Sequence, residues 1–291
     1  MQRADLDRAS RQDLENPGLE IHPGADRARR GAAVIRAGQP GSVSVTARPA
    51  GGAQDGEARP WALAEEVPVG VLLNSVPVAV MMATPMDLEE FGAGFLIAEG
   101  HLRAGDITAA LVFPTDRGFC VDIAAPGVDP PPARRALEGR AGCGLCGMEA
   151  LTDLSLDLPH RSRPRPDPDR VAAGFELLDR HQPLRAVNRS VHAAGFIAED
   201  GTMPAAREDV GRHCALDKLT GALALRRIDP AGGVAIMTSR CSFELVRKAA
   251  LAGFGGLATR SAPTGLAVEL AARAGLPLFA RQGAGVVAFG A

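Results

Sequence analysis

Two apolar, β-branched runs, Val67 to Leu73 and Val76 to Ala83, flank Asn74-Ser75, a dipeptide suited to a two-residue turn between antiparallel strands. Thr84-Pro85-Met86-Asp87 follows, with a hydroxyl, a proline and an acid at the spacing of a helix start, so a helix is expected to open there. Leu88, Phe91, Phe95 and Leu96 then recur at helical spacing as one core-facing stripe, which Gly100 closes. Short strands are predicted over Ile107 to Phe113 and Phe119 to Ala124, and an irregular loop over Pro126 to Pro132.

The Pro/Arg-rich stretch from His160 to Pro168 breaks the pattern and reads as a connection. Beyond it a helix is predicted over Asp169 to Arg180, a strand over Val191 to Ala198, and a helix after Asp209 on Val210, Cys214, Leu219 and Leu223. From Gly233 strands and helices alternate: Val234 to Met237, Ser242 to Ala252, Gly256 to Thr259, Gly265 to Ala274, Leu278 to Ala280, then Val286 to Phe289. That βαβαβ order implies an α/β fold with a mixed, mainly parallel sheet, joined to a smaller β-rich N-terminal subdomain. The expected division is a mobile extension over 1–64 holding one strand at Ser42 to Ala47, a subdomain over 65–158, and an α/β domain over 169–291. Ligands of such sheets sit beyond the carboxyl ends of the strands, which singles out Thr238-Ser239-Arg240 and the loop Arg260-Ser261-Ala262-Pro263-Thr264.

Composition narrows the function. With 34 acidic and 32 basic groups in 291 residues, the net charge is -2, too balanced to hold a polyanion. One Trp and no Tyr leave little surface for stacking bases, so nucleic-acid binding is not expected. Neither a membrane span nor an export signal is visible, and a cytoplasmic location is expected. Five cysteines, an odd number in a long chain, point to reduced thiols rather than a disulfide framework. Only two lysines occur, Lys218 and Lys248, which reads as a coding bias toward Arg.

The chemistry concentrates in Gly142-Cys143-Gly144-Leu145-Cys146-Gly147. Two thiols three positions apart can share a metal, form a disulfide or pass a sulfur atom, and the glycines let backbone N–H groups approach an anionic sulfur. A structural zinc would need two further ligands, and no second Cys-x-x-Cys or His-x-x-x-His is present. A thioredoxin-type redox pair is a further alternative, although it opens a helix without this glycine load.

The motifs together resemble the formate dehydrogenase accessory sulfurtransferase family. The resemblance runs from about Glu65 to about Val287. It rests on Glu66 to Asn74, Met82 to Phe91 with Gly94 to Gly100, the Gly142 to Gly147 hexapeptide, Arg207 to His213 with Leu216-Asp217-Lys218, and Thr238 to Arg240 with Ser261 to Thr264 and Leu266 to Leu270. It implies a sulfur carrier that accepts sulfur from a cysteine desulfurase as a Cys143 persulfide, helped by Cys146. The sulfur would pass to the molybdenum of a bis(molybdopterin guanine dinucleotide) cofactor before its insertion into formate dehydrogenase. The resemblance also implies a homodimer and a cytidine-deaminase-like fold, but the His-x-Glu and Pro-Cys-x-x-Cys of a zinc deaminase are missing: Leu102-Arg103 follows His101, and Gly142 stands where the proline would. A cofactor-binding chaperone without sulfur transfer is the alternative reading.

Cofactor contact is expected on Phe279-Ala280-Arg281-Gln282-Gly283-Ala284, where Ala284 replaces an arginine of the family pattern and Val286 to Phe289 replace its polar tail. Asn188-Arg189-Ser190 and Val191 before His192, and Cys214 after His213, are further departures. Arg240, Arg260 and Arg281 suit a pyrophosphate because a guanidinium matches two oxygens in a planar fork; Ser261 and Thr264 add hydroxyls beside them. His192 and His213 are acid–base or phosphate-donor candidates, with Asp217 four positions on to orient His213.

Overall fold

A computed structural model describes residues 35–36, 40–48, 58–131, 138–139 and 158–290 of the chain. The expected carrier residues Cys143 and Cys146 lie outside the described residues, as do residues 1–34.

Strands β1 (Ile35–Arg36), β2 (Ser42–Ala47) and β3 (Arg59–Ala64) form an antiparallel three-stranded sheet in that order. β2 is the strand expected in the N-terminal extension. β3 was not expected, and it is held at its end by Ala64 N–H donating to Ser190 Oγ at 3.2 Å. Structured chain therefore begins before Glu65.

β4 (Val67–Leu73) and β5 (Val76–Ala83) are the predicted hairpin. Asn74 and Ser75 both take left-handed backbone, φ 50° and 66°, which a tight hairpin turn demands of its two central residues. Tertiary bonds hold them there. Asn74 Nδ2 donates to the carbonyls of Ala125 (3.0 Å) and Val128 (2.9 Å), and Ser75 N–H and Oγ both donate to the Asp122 carboxylate.

Helix α1 (Leu88–Ala98) starts later than Thr84. Its N-cap is Asp87 in a left-handed conformation with no side-chain cap bond, because the Thr84 hydroxyl instead accepts from Val210 N–H at 3.2 Å. β6 (Ala109–Pro114), β7 (Phe119–Ala124) and the short β8 (Glu138–Gly139) complete a five-stranded sheet of order β6-β7-β4-β5-β8.

The second half contributes α2 (Pro168–Arg180), the short α3 (Pro183–Asn188), β9 (His192–Ala198), β10 (Ala205–Asp209) and α4 (Arg212–Leu225). β11 (Gly233–Met237), α5 (Phe243–Ala252), β12 (Gly256–Thr259), α6 (Gly265–Ala274), β13 (Leu278–Gln282) and β14 (Gly285–Phe289) follow. The six-stranded sheet runs β10-β9-β11-β12-β13-β14. Only β11-β12 and β12-β13 are parallel; β10-β9, β9-β11 and β13-β14 are antiparallel. The expectation of a mainly parallel sheet is thus corrected to a mixed one. The βαβαβ unit is present, but short connections after β9 and β13 can only return the chain antiparallel, so hairpins flank it.

Both faces of this sheet are buried. Phe175 and Leu178 of α2 cover Ala193, Ile197, Val234, Ile236 and Phe279 on one face. On the other, Ala194, Phe196, Ala235, Met237 and Leu257 join one continuous core with α1, α4, α5, α6 and the inner residues of β4 and β7. α1 and α4 cross with their backbones in contact: a Cβ added at Gly94 would stand 1.7 Å from the Asp217 carbonyl oxygen, and one at Gly221 1.8 Å from that of Glu90. α4 is consequently buried nearly all round, Asp217 and Lys218 included.

Candidate functional site

Strand direction gathers most of the expected residues at one edge of the six-stranded sheet. β11, β12 and β13 end there with Met237, Thr259 and Gln282. The antiparallel register pairs the start of β9 with the end of β10, His192 opposite Asp209, at that same edge. The two loops singled out by their hydroxyls and arginines lie side by side, with Arg260 N–H donating to Met237 O (2.9 Å), Ser261 N–H to Ser239 O (3.3 Å) and Thr264 N–H to Cys241 O (3.0 Å). Arg240, Ser261 and Thr264 are exposed, and the Thr264 hydroxyl caps α6 by accepting from Ala267 N–H at 3.3 Å.

On the face of α4 and α5, the edge carries a polar cluster. His213 Nε2 lies 3.1 Å from Glu244 Oε2, and Arg212 reaches the same oxygen at 3.9 Å. Glu244 is 8 % exposed, and its Oε1 is buried without a hydrogen-bond partner. Burial, reinforced by Arg212, Arg185 and His213, lowers the His192 pKa, so this imidazole is neutral at physiological pH and can both donate and accept. Glu244, not foreseen from the sequence, thus faces His213. Asp217, expected to orient that ring, is instead paired with Lys248.

Behind this cluster the two lysines are both buried. Lys218 Nζ lies 2.7 Å from Asp209 Oδ2 and donates to the Thr84 carbonyl at 2.8 Å. Asp209 also accepts from the N–H groups of Thr84 (2.9 Å) and Gly211 (2.8 Å), which fixes the turn leading into α4. Lys248 Nζ meets Asp217 and Glu99 at 2.8 Å each. Burial works against the Lys248 ammonium, but these two carboxylates outweigh it and keep the group charged. Burial likewise opposes ionised Glu99, yet Lys248 and Arg247 lower its pKa to about 2. The two lysines, read from the sequence as a remnant of a coding bias toward Arg, are both buried ion-pair residues.

On the opposite face, that of α2, two arginines converge on one carboxylate. Arg260 Nη2 lies 2.5 Å from Asp179 Oδ1, and Arg281 Nη1 lies 3.9 Å from Asp179 Oδ2. Arg281 is also held by its Nε donating to Gly283 O (3.2 Å) and by the Phe175 ring, 5.6 Å from its Cζ. Of the C-terminal stretch, Phe279 and Ala280 are 1 % and 2 % exposed and belong to the core, whereas Gln282, Gly283 and Ala284 form the open turn into β14. Arg281 is the side chain of that stretch positioned to meet an anion.

The described cysteines are poor nucleophiles. Burial raises the pKa of Cys120, with Asp122 adding to it, raises that of Cys214 well above the ordinary value, and pushes that of Cys241 up to about 12. All three are free thiols. Among the described residues no three His, Cys, Asp or Glu side chains gather as a metal site, and no helix is long and apolar enough to cross a membrane.

Comparison with known proteins places the chain. The model of the FdhD/NarQ family matches residues 64–287. The chain is 43% identical over 258 residues to a protein of Xanthomonas axonopodis pv. citri named sulfur carrier protein FdhD, covering 85% of this chain and 90% of that one. It is 44% identical over 235 residues to the protein of that name from Cupriavidus necator, covering 78% and 82%. A crystal structure from Desulfotalea psychrophila, described as a formate dehydrogenase accessory protein, superposes with a TM-score of 0.66 at 26% identity over 85% of this chain and 95% of that one. With the family model matching well over half its length, this chain belongs to the FdhD/NarQ family.

Proposed function

We propose that the protein is a sulfur carrier for formate dehydrogenase maturation, loading sulfur on Cys143 and delivering it to the molybdenum of a bis(molybdopterin guanine dinucleotide) bound at the carboxyl edge of the six-stranded sheet. The observation that carries this reading is the similarity, over most of the chain, to proteins named sulfur carrier protein FdhD. The thiols support it: with Cys120, Cys214 and Cys241 held protonated, the glycine-flanked Cys143 and Cys146 are the pair left for sulfur chemistry.

In the proposed cycle the Cys143 thiolate attacks the terminal sulfur of a cysteine desulfurase persulfide. A new S–S bond forms on Cys143 as the donor's S–S bond breaks, and the donor cysteine leaves as a thiolate. Cys146 then attacks the Cys143 sulfur. The Cys143–Cys146 disulfide forms, the terminal sulfur departs with both electrons of the broken bond as hydrosulfide toward the metal, and a cellular dithiol reductant restores the two thiols. The formate dehydrogenase catalytic subunit would receive the finished cofactor, and the carrier would act as a homodimer in the cytoplasm.

The edge suits such a substrate. Arg260 and Arg281 offer planar forks for a pyrophosphate, and Arg260 Nε is buried without a hydrogen-bond partner. Exposed Ser261 and the N-terminus of α6 behind Thr264 add donors, with Arg240 on the neighbouring loop. Neutral His192 and the His213–Glu244 pair supply polar groups on the other face of the edge.

Incubation with a cysteine desulfurase and cysteine, followed by intact mass measurement, tests the reading. The wild-type chain gains one reducible sulfur and Cys143→Ala gains none. A wild-type chain that takes up no sulfur would instead be a chaperone that shelters the cofactor.

A further inference from the structure

Asp179 occupies a position that its own helix does not favour. It is the penultimate residue of α2, which ends at Arg180, where the free carbonyls of the last turn concentrate negative charge and a carboxylate is the wrong sign. Its surroundings, not its helix, account for it. Arg260, from the loop after β12, is paired with this carboxylate, Arg281, at the end of β13, lies 3.9 Å from it and 4.0 Å from the more exposed Glu176, and Gln182 Nε2 donates to Asp179 Oδ1 at 3.1 Å.

From this geometry we infer that Asp179 is an internal stand-in for a phosphate group: it neutralises the Arg260–Arg281 fork when no substrate is bound, and a phosphate of the incoming nucleotide displaces it. The inference deepens the reading of this edge as the dinucleotide site and rests on it.

Three further features fit an exchangeable rather than a structural pair. Asp179 is 44 % exposed and Arg260 31 %, so solvent and a ligand both reach the contact, and a pair of that exposure is easily given up. Arg281 keeps its place without Asp179, because the Phe175 ring and the Gly283 carbonyl hold it independently, leaving its guanidinium set for the substitute anion. Arg260 Nε has no acceptor in the Asp179-bound arrangement, and a phosphate brings more acceptor oxygens than one carboxylate does.

The consequence is a ceiling on affinity. Each substrate must compete with a tethered carboxylate, and the same carboxylate helps to expel it. A carrier that has to surrender its cofactor to another protein gains from that, and Asp179 is here a specificity and release residue, not a catalytic one.

Calorimetric titration of the full chain with guanosine diphosphate, at one fixed salt concentration, tests the exchange. Asp179→Asn keeps the shape and the Gln182 contact but removes the charge, and it should bind roughly three- to fivefold more tightly than wild type. Asp169→Asn is the control. It removes an equal, exposed charge ten residues earlier on the same helix, about 15 Å away, and it should change affinity less than about twofold. Arg281→Ala should weaken binding by about tenfold or more. An Asp179→Asn or Asp179→Ala affinity equal to or weaker than wild type overturns the inference, and so does a gain matched by Asp169→Asn, which would be bulk charge. Absence of binding to wild type and Asp179→Asn alike also overturns it. None of these titrations involves Cys143, so a failure of sulfur loading and a failure of the exchange are read separately.

Discussion

Lys248 and its carboxylates lie between helices and Lys218 lies between α4, the end of β10 and the Thr84 loop, with the side chains of Lys218, Asp209 and Asp217 fully excluded from solvent, whereas Arg260, Arg281 and Asp179 lie at the rim of the sheet and are all partly exposed. The chemical groups are alike, yet the consequences of removing one differ. A buried ammonium that loses its carboxylate has no water to replace it, so each pair is obligatory once the helices have closed. At the rim water, or another anion, takes the place of either partner at little cost. One set of charges fixes the loop from Thr84 and the turn into α4; the other is free to be exchanged.

Lys218→Met is the harshest way to break the comparison. It strands Asp209 in the core and should cost about 3–5 kcal/mol in urea unfolding, while Lys218→Met combined with Asp209→Leu should recover part of that loss. A single-variant cost below about 1 kcal/mol would put the buried pair in the same class as the rim. Next in size is Gly94→Ala. A methyl group 1.7 Å from the Asp217 carbonyl must push α1 from α4 and loosen Asp217 from Lys248, with an expected loss of about 1–3 kcal/mol.

A pH series sharpens the comparison without forcing the helices apart. The Glu99 pKa is lowered from 4.5 to about 2, so the stability this carboxylate contributes is fully present above about pH 4.5 and is lost as pH falls toward 2. Thermal unfolding between those values should therefore fall more steeply for wild type than for Glu99→Gln, which has no proton to bind there. Parallel curves would show that Glu99 is not held by Lys248 and Arg247. The smallest effect is expected at the rim, where Asp179→Asn should alter stability by about 1 kcal/mol or less.

The elements visible in the sequence were those decided locally. The β4–β5 hairpin is found with its predicted bounds because Asn74-Ser75 and the flanking alternation already specify it. The β11-α5-β12-α6-β13 unit is likewise where its periodicity placed it. The misses are tertiary. No strand is predicted at β10, because Arg207-Glu208-Asp209 lacks an apolar alternation; there each charge has a distant partner. Arg207 pairs with Glu90, Glu208 accepts from Leu184 N–H (2.7 Å) and Arg185 N–H (2.9 Å), and Asp209 takes Lys218. Thr84 reads as a helix cap until Val210 takes its hydroxyl. At the site, strand ends singled out Arg240, Arg260 and Arg281, and motifs singled out His192 and His213, but Asp179 and Glu244 are joined to Arg260 and His213 only by folding, so nothing near them in the chain announces the contact.

The account depends most on which sulfur atom carries the cargo. After loading from a cysteine desulfurase, trapping with an alkylating reagent and peptide-level mass spectrometry locate the added sulfur among the five cysteines. The proposed function predicts it on the peptide containing Cys143, with the half-buried Cys120 and the buried Cys214 and Cys241 unmodified. Added sulfur on any of those three, with Cys143 bare, would contradict the account.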